Sequence, residues 1–254
     1  MVLKSKEEIE LMRRANLIVY EVLQILREMT RPGITTAQLN ERAIELTKKN
    51  KARPAFLGYP GASSSAPPFP GVICVSKNEA IVHGIPNDEP LVEGDILSID
   101  FGCEYEGFYG DSAITVPVGK ISATAKKLLD VTERSLNDAI EQCVVGKRIG
   151  DIGHAVQSRV EANGFNVVRD FVGHGIGRVM HEEPAVPNFG KPATGRILKP
   201  GLVLAIEPMV TAGSYDSVIL ADGWTAVTKD GNLAAHFEHT VAVTENGPYV
   251  LSKP

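Results

Sequence analysis

Asp100 and Asp111 enclose a run, Phe101 to Gly110, in which Glu106-Gly107 has the composition of a two-residue hairpin turn. A turn there sets residue 102 opposite 111 and residue 100 opposite 113. Directly opposed residues share a face of the ribbon, as do residues two apart on one strand. The two aspartates therefore project from one face as diagonal neighbours, roughly 7–8 Å apart at the backbone. Ile96, Leu97 and Ile99 give the first strand a buried pattern, which fits poorly with two solvated surface acids. Two carboxylates converging across that gap suit a cation held between them.

A second pair of acids follows from an internal echo. Gly94-Asp95-Ile96-Leu97-Ser98-Ile99-Asp100 matches Gly201-Leu202-Val203-Leu204-Ala205-Ile206-Glu207 as G-x-[IV]-L-[SA]-I-[DE]. Read as the trace of a duplication, Glu207 takes the place of Asp100, and Glu238 that of Asp111. Four acids in one partly buried cleft would take up protons or require cations, and two divalent ions balance them. His174, bracketed by Gly173 and Gly175, is the candidate nitrogen ligand, with His181 a hydrogen-bonding group nearby. His83 ends an alternating strand at a turn. His154 and His239 read as structural, whereas His236, on the same face as Glu238, stays open. Such an oxygen-rich set with one imidazole suits Mn, Fe, Co or Zn. Two of these ions bridged by hydroxide can polarise and hydrolyse a carbonyl.

The elements that must position these groups are legible around them. Ser5 with Glu7 and Glu8 opens a helix whose Ile9, Met12, Val19, Leu23 and Leu26 share a face, and Arg31-Pro32-Gly33 stops it. Thr35 to Gln38 reads as a capping box for a second helix through about Lys49. Residues 55–72 read as an irregular loop, and Ile73 to Val118 as strands and hairpins. Ser122 to about Val145 reads as a third helix with Leu129, Leu136, Ile140 and Cys143 on one side. Asp151 is expected to cap a fourth helix ending near Gly164, with strands to the end of the chain. Helices then strands, twice over, is an α+β pattern with helices on one face of a largely antiparallel sheet.

The 254 residues carry 43% apolar and 22% charged side chains, a balance that allows a sizeable core. Lys plus Arg number 26 against 31 acids, with no basic run, so no DNA or other nucleic acid is expected as partner. No stretch approaches a membrane span, and the amino terminus lacks the apolar segment of a signal peptide. Cys74, Cys103 and Cys143 have no CxxC spacing and read as reduced thiols of a cytoplasmic protein.

At these residues the chain resembles the type I methionine aminopeptidases of the pita-bread (creatinase/aminopeptidase) fold. The resemblance runs through Gly58-Tyr59, His83-Gly84-Ile85-Pro86, Gly110-Asp111-Ser112-Ala113 and His174-Gly175-Ile176-Gly177 with His181-Glu182-Glu183-Pro184. It continues through Ile206-Glu207-Pro208-Met209 and Phe237-Glu238-His239-Thr240, covering essentially the whole chain as one catalytic domain with pseudo-repeat halves at about 4–118 and 122–250. It implies removal of the initiator methionine from nascent polypeptides, favoured by a small second residue, through a metal-bridging hydroxide. Asp100 would chelate one divalent ion, Asp111 and Glu238 would bridge both, and His174 and Glu207 would complete the second. Glu207 would also exchange the proton, while His83 and His181 would bind substrate and stabilise the tetrahedral intermediate. Tyr59, Cys74 and Trp224 would line the methionine pocket, where sulfur and aromatic surface suit a thioether. The backbone oxygen of Asn78 would help hold a monovalent cation. The resemblance further implies a compact, bacterial-style monomer without an amino-terminal zinc finger, and raises the ribosome as a docking partner. A loop insertion at about 60–70, Met180 in place of a frequent aromatic, and Phe56 in place of a smaller residue depart from the family pattern. Proline-specific peptidases and non-catalytic binding modules share this fold and are the alternative readings.

Overall fold

A computed structural model of the chain describes residues 2–61 and 67–254; the Ala62–Ala66 part of the expected loop insertion lies outside the described residues. The first half runs α1 (Lys6–Met29), α2 (Thr36–Lys49), β1 (Arg53–Pro54), β2 (Cys74–Lys77), β3 (Ala80–Val82), β4 (Ile96–Tyr105) and β5 (Phe108–Pro117). The second begins with α3 (Ala123–Glu141) and α4 (Ile149–Ala162), followed by β6 (Asn166–Val167), β7 (Gly173–Gly175), β8 (Glu182–Val186) and β9 (Val203–Ile206). It closes with β10 (Met209–Thr211), β11 (Ser217–Ile219), β12 (Ala226–Thr228), β13 (Ala234–His236), β14 (Glu238–Thr244) and β15 (Gly247–Val250). Every strand pair among the described residues is antiparallel. Among the described residues no helix is long and apolar enough to cross a membrane.

The helix starts are set by side chains that satisfy otherwise orphaned backbone donors. Ser5 accepts the Glu8 N–H while Glu8 accepts the Ser5 N–H, and Thr35 and Gln38 do the same for α2. Two boundaries differ from the sequence expectation. The third helix stops at Glu141, where the Gln142 and Cys143 N–H groups close tighter i→i−3 bonds to Ala139 and Ile140 ahead of the exposed Val144-Val145 pair and a left-handed Gly146. Asp151 does not cap the fourth helix. Arg148 holds that position in an extended bridge to Ile197, and Asp151 sits three residues in, accepting the Arg148 and Ala193 N–H groups.

The main sheet runs β1-β4-β5-β14-β9-β7-β8, with β2 beside β4 and β15 beside β14. Its odd-numbered β4 residues Leu97, Ile99, Phe101 and Cys103 pack with Val19, Leu23 and Leu26 of α1 and Leu39 and Leu46 of α2. In the other half, Leu204, Ile206, Val241 and Val243 pack against α3 and α4. Each such side chain contributes about 1.5–3 kcal/mol on burial. Both helix pairs thus cover one face, and the core lies between helices and sheet. Alternation leaves Asp100, Asp111, Glu207 and Glu238 to the other face.

The Glu106-Gly107 turn has φ of 52° and 83°, a left-handed pair that matches a type I′ hairpin. It pairs Gly102 with Asp111 and Asp100 with Ala113, as the spacing implied. Helix α1 crosses this hairpin so closely that a Cβ at Gly110 would stand 2.7 Å from the Asn16 backbone nitrogen. The same contact lets the Asn16 side chain accept the Asp111 N–H at 3.3 Å. Gly110→Ala is therefore expected to lower unfolding stability by about 1–3 kcal/mol, read as a reduced urea midpoint with the slope unchanged.

Candidate metal centre

Register alone places the acids together. Cys74 pairs with Asp100, Asp100 with Ala113, and Ala113 with Glu238, a row across β2, β4, β5 and β14. Small Ala113 at the middle leaves space above the row, and Asp111 enters it from the diagonal. On the far side His239 pairs with Ile206 and His174 with Ala205. Period two then sets Glu207 and His174 on the face that carries Glu238. Asp111, His174 and Glu238 each offer a ligand atom, all within 4.8 Å of one another. His174 Nε2 lies 3.7 Å from Asp111 Oδ2 and 3.7 Å from Glu207 Oε1.

The residues singled out in the sequence border one cavity of about 410 Å³. Asp100, Asp111, Glu207, Glu238 and His174 form its floor, with His83, His181, Tyr59, Cys74 and Trp224 around it. Sequence reading missed Phe69, Phe171 and Met209 as wall residues. Phe171 stands three residues before His174, a spacing that could have pointed to it; Phe69 and Met209 carry no such signal. His239 faces away, its Nδ1 2.7 Å from the Ser252 hydroxyl, and His154 on α4 meets Ser158. Asn78 is occupied locally: its side chain accepts the Ile96 N–H and donates to Asp95, and its carbonyl accepts the Ala234 N–H.

Burial drives the electrostatics of the floor. It raises the Asp100 carboxyl from 3.8 to about 7, with Glu207 adding to the rise and His236 opposing it. Burial, then the neighbouring carboxylates, pushes Asp111 and Glu238 well above the carboxylate range. Burial likewise raises the Cys74 thiol well above its ordinary value and lowers His83. His181 is lowered to about 4 by burial and by His174, whose ring centroid is 4.2 Å away. The Tyr59 hydroxyl meets His181 Nδ1 at 2.7 Å. The chain after His181 is held by the buried Lys4–Glu182 ion pair at 2.5 Å.

Three buried carboxylate oxygens, Asp100 Oδ1, Asp111 Oδ1 and Glu238 Oε1, have no hydrogen-bond partner among the described residues. A buried acceptor left bare costs about 1–3 kcal/mol, and more when charged. His174 Nδ1 lies 2.9 Å from the Gly175 carbonyl oxygen. A carbonyl only accepts, so Nδ1 carries a proton there, which leaves Nε2 as the ring atom turned toward the acids. Lone pairs facing lone pairs in a dry floor are the donor set of a divalent cation of intermediate hardness, and the residues present fit one.

Such a nest of carboxylates and imidazole, walled by apolar side chains, belongs to the metal-dependent hydrolases. The chain is a member of metallopeptidase family M24, whose model matches residues 10–245. It is 51% identical over 251 residues to a methionine aminopeptidase of Clostridium perfringens, covering 99% of this chain and 98% of that one. The crystal structure of methionine aminopeptidase from Thermotoga maritima superposes with a TM-score of 0.95 at 45% identity, over 100% of both chains. A prolidase structure from Pyrococcus horikoshii matches at TM-score 0.79 and 20% identity, covering 99% of this chain and 63% of that one, and shows the shared pita-bread fold.

The raised carboxyls fix how the metal-free protein responds to pH. Unfolded, Asp100 would titrate near 3.8; folded, it holds its proton up to about 7, so the folded state binds more protons across that window. The stabilisation is complete below the unfolded value and lost as pH rises through the folded one. Chelator-treated protein is expected to melt at a lower temperature at about pH 8 than at about pH 5. Added Mn²⁺ should raise the melting temperature more at the higher pH, checked by scanning fluorimetry.

Proposed function

We propose that this chain removes the amino-terminal methionine from polypeptides and prefers a small second residue. The observation that carries the reading is the floor of unpartnered acids and imidazole at the end of a cavity walled by aromatic and sulfur-bearing side chains. Full-length identity to named methionine aminopeptidases supports the substrate class, whereas the proline-specific relatives share only the fold.

Asp100, Asp111, Glu238, His174 and Glu207 would hold two divalent ions. When bound, the ions supply Lewis acidity toward the scissile carbonyl and make water a nucleophile at neutral pH. Glu207, half-buried at the floor, accepts the proton from the attacking water and returns it to the leaving amine. His83 and His181 are neutral at pH 7 because burial disfavours their charged forms, so each presents one N–H to the substrate oxygen. Tyr59 donates to His181 Nδ1, which leaves the ring proton on Nε2. Trp224, held by its N–H to the Pro67 carbonyl at 2.8 Å, packs on Phe69 and, with Cys74, Phe56 and Met180, encloses the thioether. We assign the work to the cytoplasm, on chains emerging from the ribosome, by a monomer folded as one catalytic domain. A monovalent cation at Asn78 would use the lone pair of its carbonyl that Ala234 leaves free.

Turnover of Met-Ala-Ser and of an Ala-Pro peptide under Mn²⁺, Co²⁺, Fe²⁺ and Zn²⁺ tests the reading: methionine release with no proline-directed cleavage is expected, and the reverse pattern would overturn it. Asp111→Asn should reduce turnover by more than about 100-fold, beyond the effect of a group outside the ligand shell, with circular dichroism unchanged. Tyr59→Phe, which deletes one hydrogen bond to His181, is expected to lower kcat roughly tenfold with little change in KM.

A further inference from the structure

Outside the proposed ligands, one polar side chain in the cavity region is buried and unpaired. His236 is 1% exposed, and its Nε2 has no hydrogen-bond partner among the described residues. That nitrogen stands 3.4 Å from Glu207 Oε2, while Glu207 Oε1 faces His174. The His236 backbone is pinned on both sides. Its N–H donates to the Thr115 hydroxyl at 3.0 Å, and that hydroxyl donates to the His236 carbonyl at 2.6 Å. Strand β13 is further paired to β10 at His236–Met209. The ring is therefore held by its main chain and presented to Glu207.

We infer that His236 is a positioning residue that donates from Nε2 to Glu207 Oε2, leaving Oε1 as the oxygen that serves ion and proton. The inference rests on the role of Glu207 proposed above and adds the group that orients it. A glutamate carboxylate turns easily about its last torsion, with a broad two-fold preference. One fixed donor distinguishes its two oxygens, as partners outside a ligand shell commonly do, at a cost of 10–100-fold when removed. Neither the echo between the halves nor the metal-ligand reading assigned His236 a task.

The test compares His236→Leu, His236→Asn and His236→Gln with the parent protein. Readouts are Met-Ala-Ser kinetics, Mn²⁺ affinity of the chelator-treated protein by calorimetry, and melting temperature. Leucine removes the donor, and asparagine shortens its reach. Both are expected to lower kcat about 10–100-fold and to weaken Mn²⁺ binding about tenfold, with KM within about threefold. Glutamine keeps a donor at nearly the same reach and should restore both quantities to within about threefold of the parent. Asparagine carries the comparison if the leucine variant does not fold. Unchanged kcat and Mn²⁺ affinity in both donor-deficient variants would overturn the inference, as would glutamine failing alongside leucine at equal melting temperature. Loss of Mn²⁺ binding as severe as in Asp111→Asn would instead make His236 a ligand and also overturn it. If the parent protein fails to cleave Met-Ala-Ser while the Mn²⁺ affinities follow the expected order, the substrate assignment falls and the positioning role stands.

Discussion

Repulsion among acids removed from water is the constraint around which this molecule is arranged. Asp111 and Glu238 are buried beside half-buried Asp100, and each is driven toward its protonated form by lost hydration and by its neighbours. Among the described residues no lysine or arginine pairs with them, and the ion-pairing groups nearby are imidazoles. Relief would have to come from outside, as a divalent ion, or at lower pH as protons. A floor so unfavourable by itself survives because it is a small part of a large apolar fold. The two helix pairs bury aliphatic side chains on the opposite face of the same strands. Alternation along a strand separates the two: one residue serves the core and the next serves the site.

The floor draws on both halves of the chain. Asp100 and Asp111 come from the β4–β5 hairpin, His174 from β7, Glu207 from the end of β9 and Glu238 from β14. Strands β5 and β14 join the halves through the Glu238–Ala113 pair and through the Ser112 hydroxyl, which donates to the Glu238 carbonyl at 2.5 Å. An ion held on this floor would tie the halves together and link metal binding to folding. Around the floor the histidines divide by environment. Burial lowers His83 and His181, His174 turns its Nε2 toward Asp111 and Glu207, and His239 lies behind the sheet, lowered to about 3 by burial. One residue type thus takes several tasks, set by what surrounds each ring.

Much of this was legible from local rules. Both capping boxes, the Glu106-Gly107 turn and the shared face of Asp100 and Asp111 depend on residues a few positions apart, where backbone geometry leaves few choices. Where a tertiary contact competes with local preference, the reading slipped. Asp151 has the chemistry of a cap, yet the bridge from Arg148 to Ile197 fixes the preceding residue in that place. Val144-Val145 continues an apolar pattern but ends exposed, beyond the last helical turn.

From the sequence alone came the pairing of acids, the resemblance carried by the histidine and glutamate motifs, and the helix-helix-strand order. These follow from spacing and residue type, which a linear chain retains. Only the tertiary structure decided which atoms are left bare, that Tyr59 reaches His181, and that His236 faces Glu207 across 3.4 Å. Such facts depend on burial and on distances between segments far apart in the chain, and those exist only once the sheet has closed over its cavity.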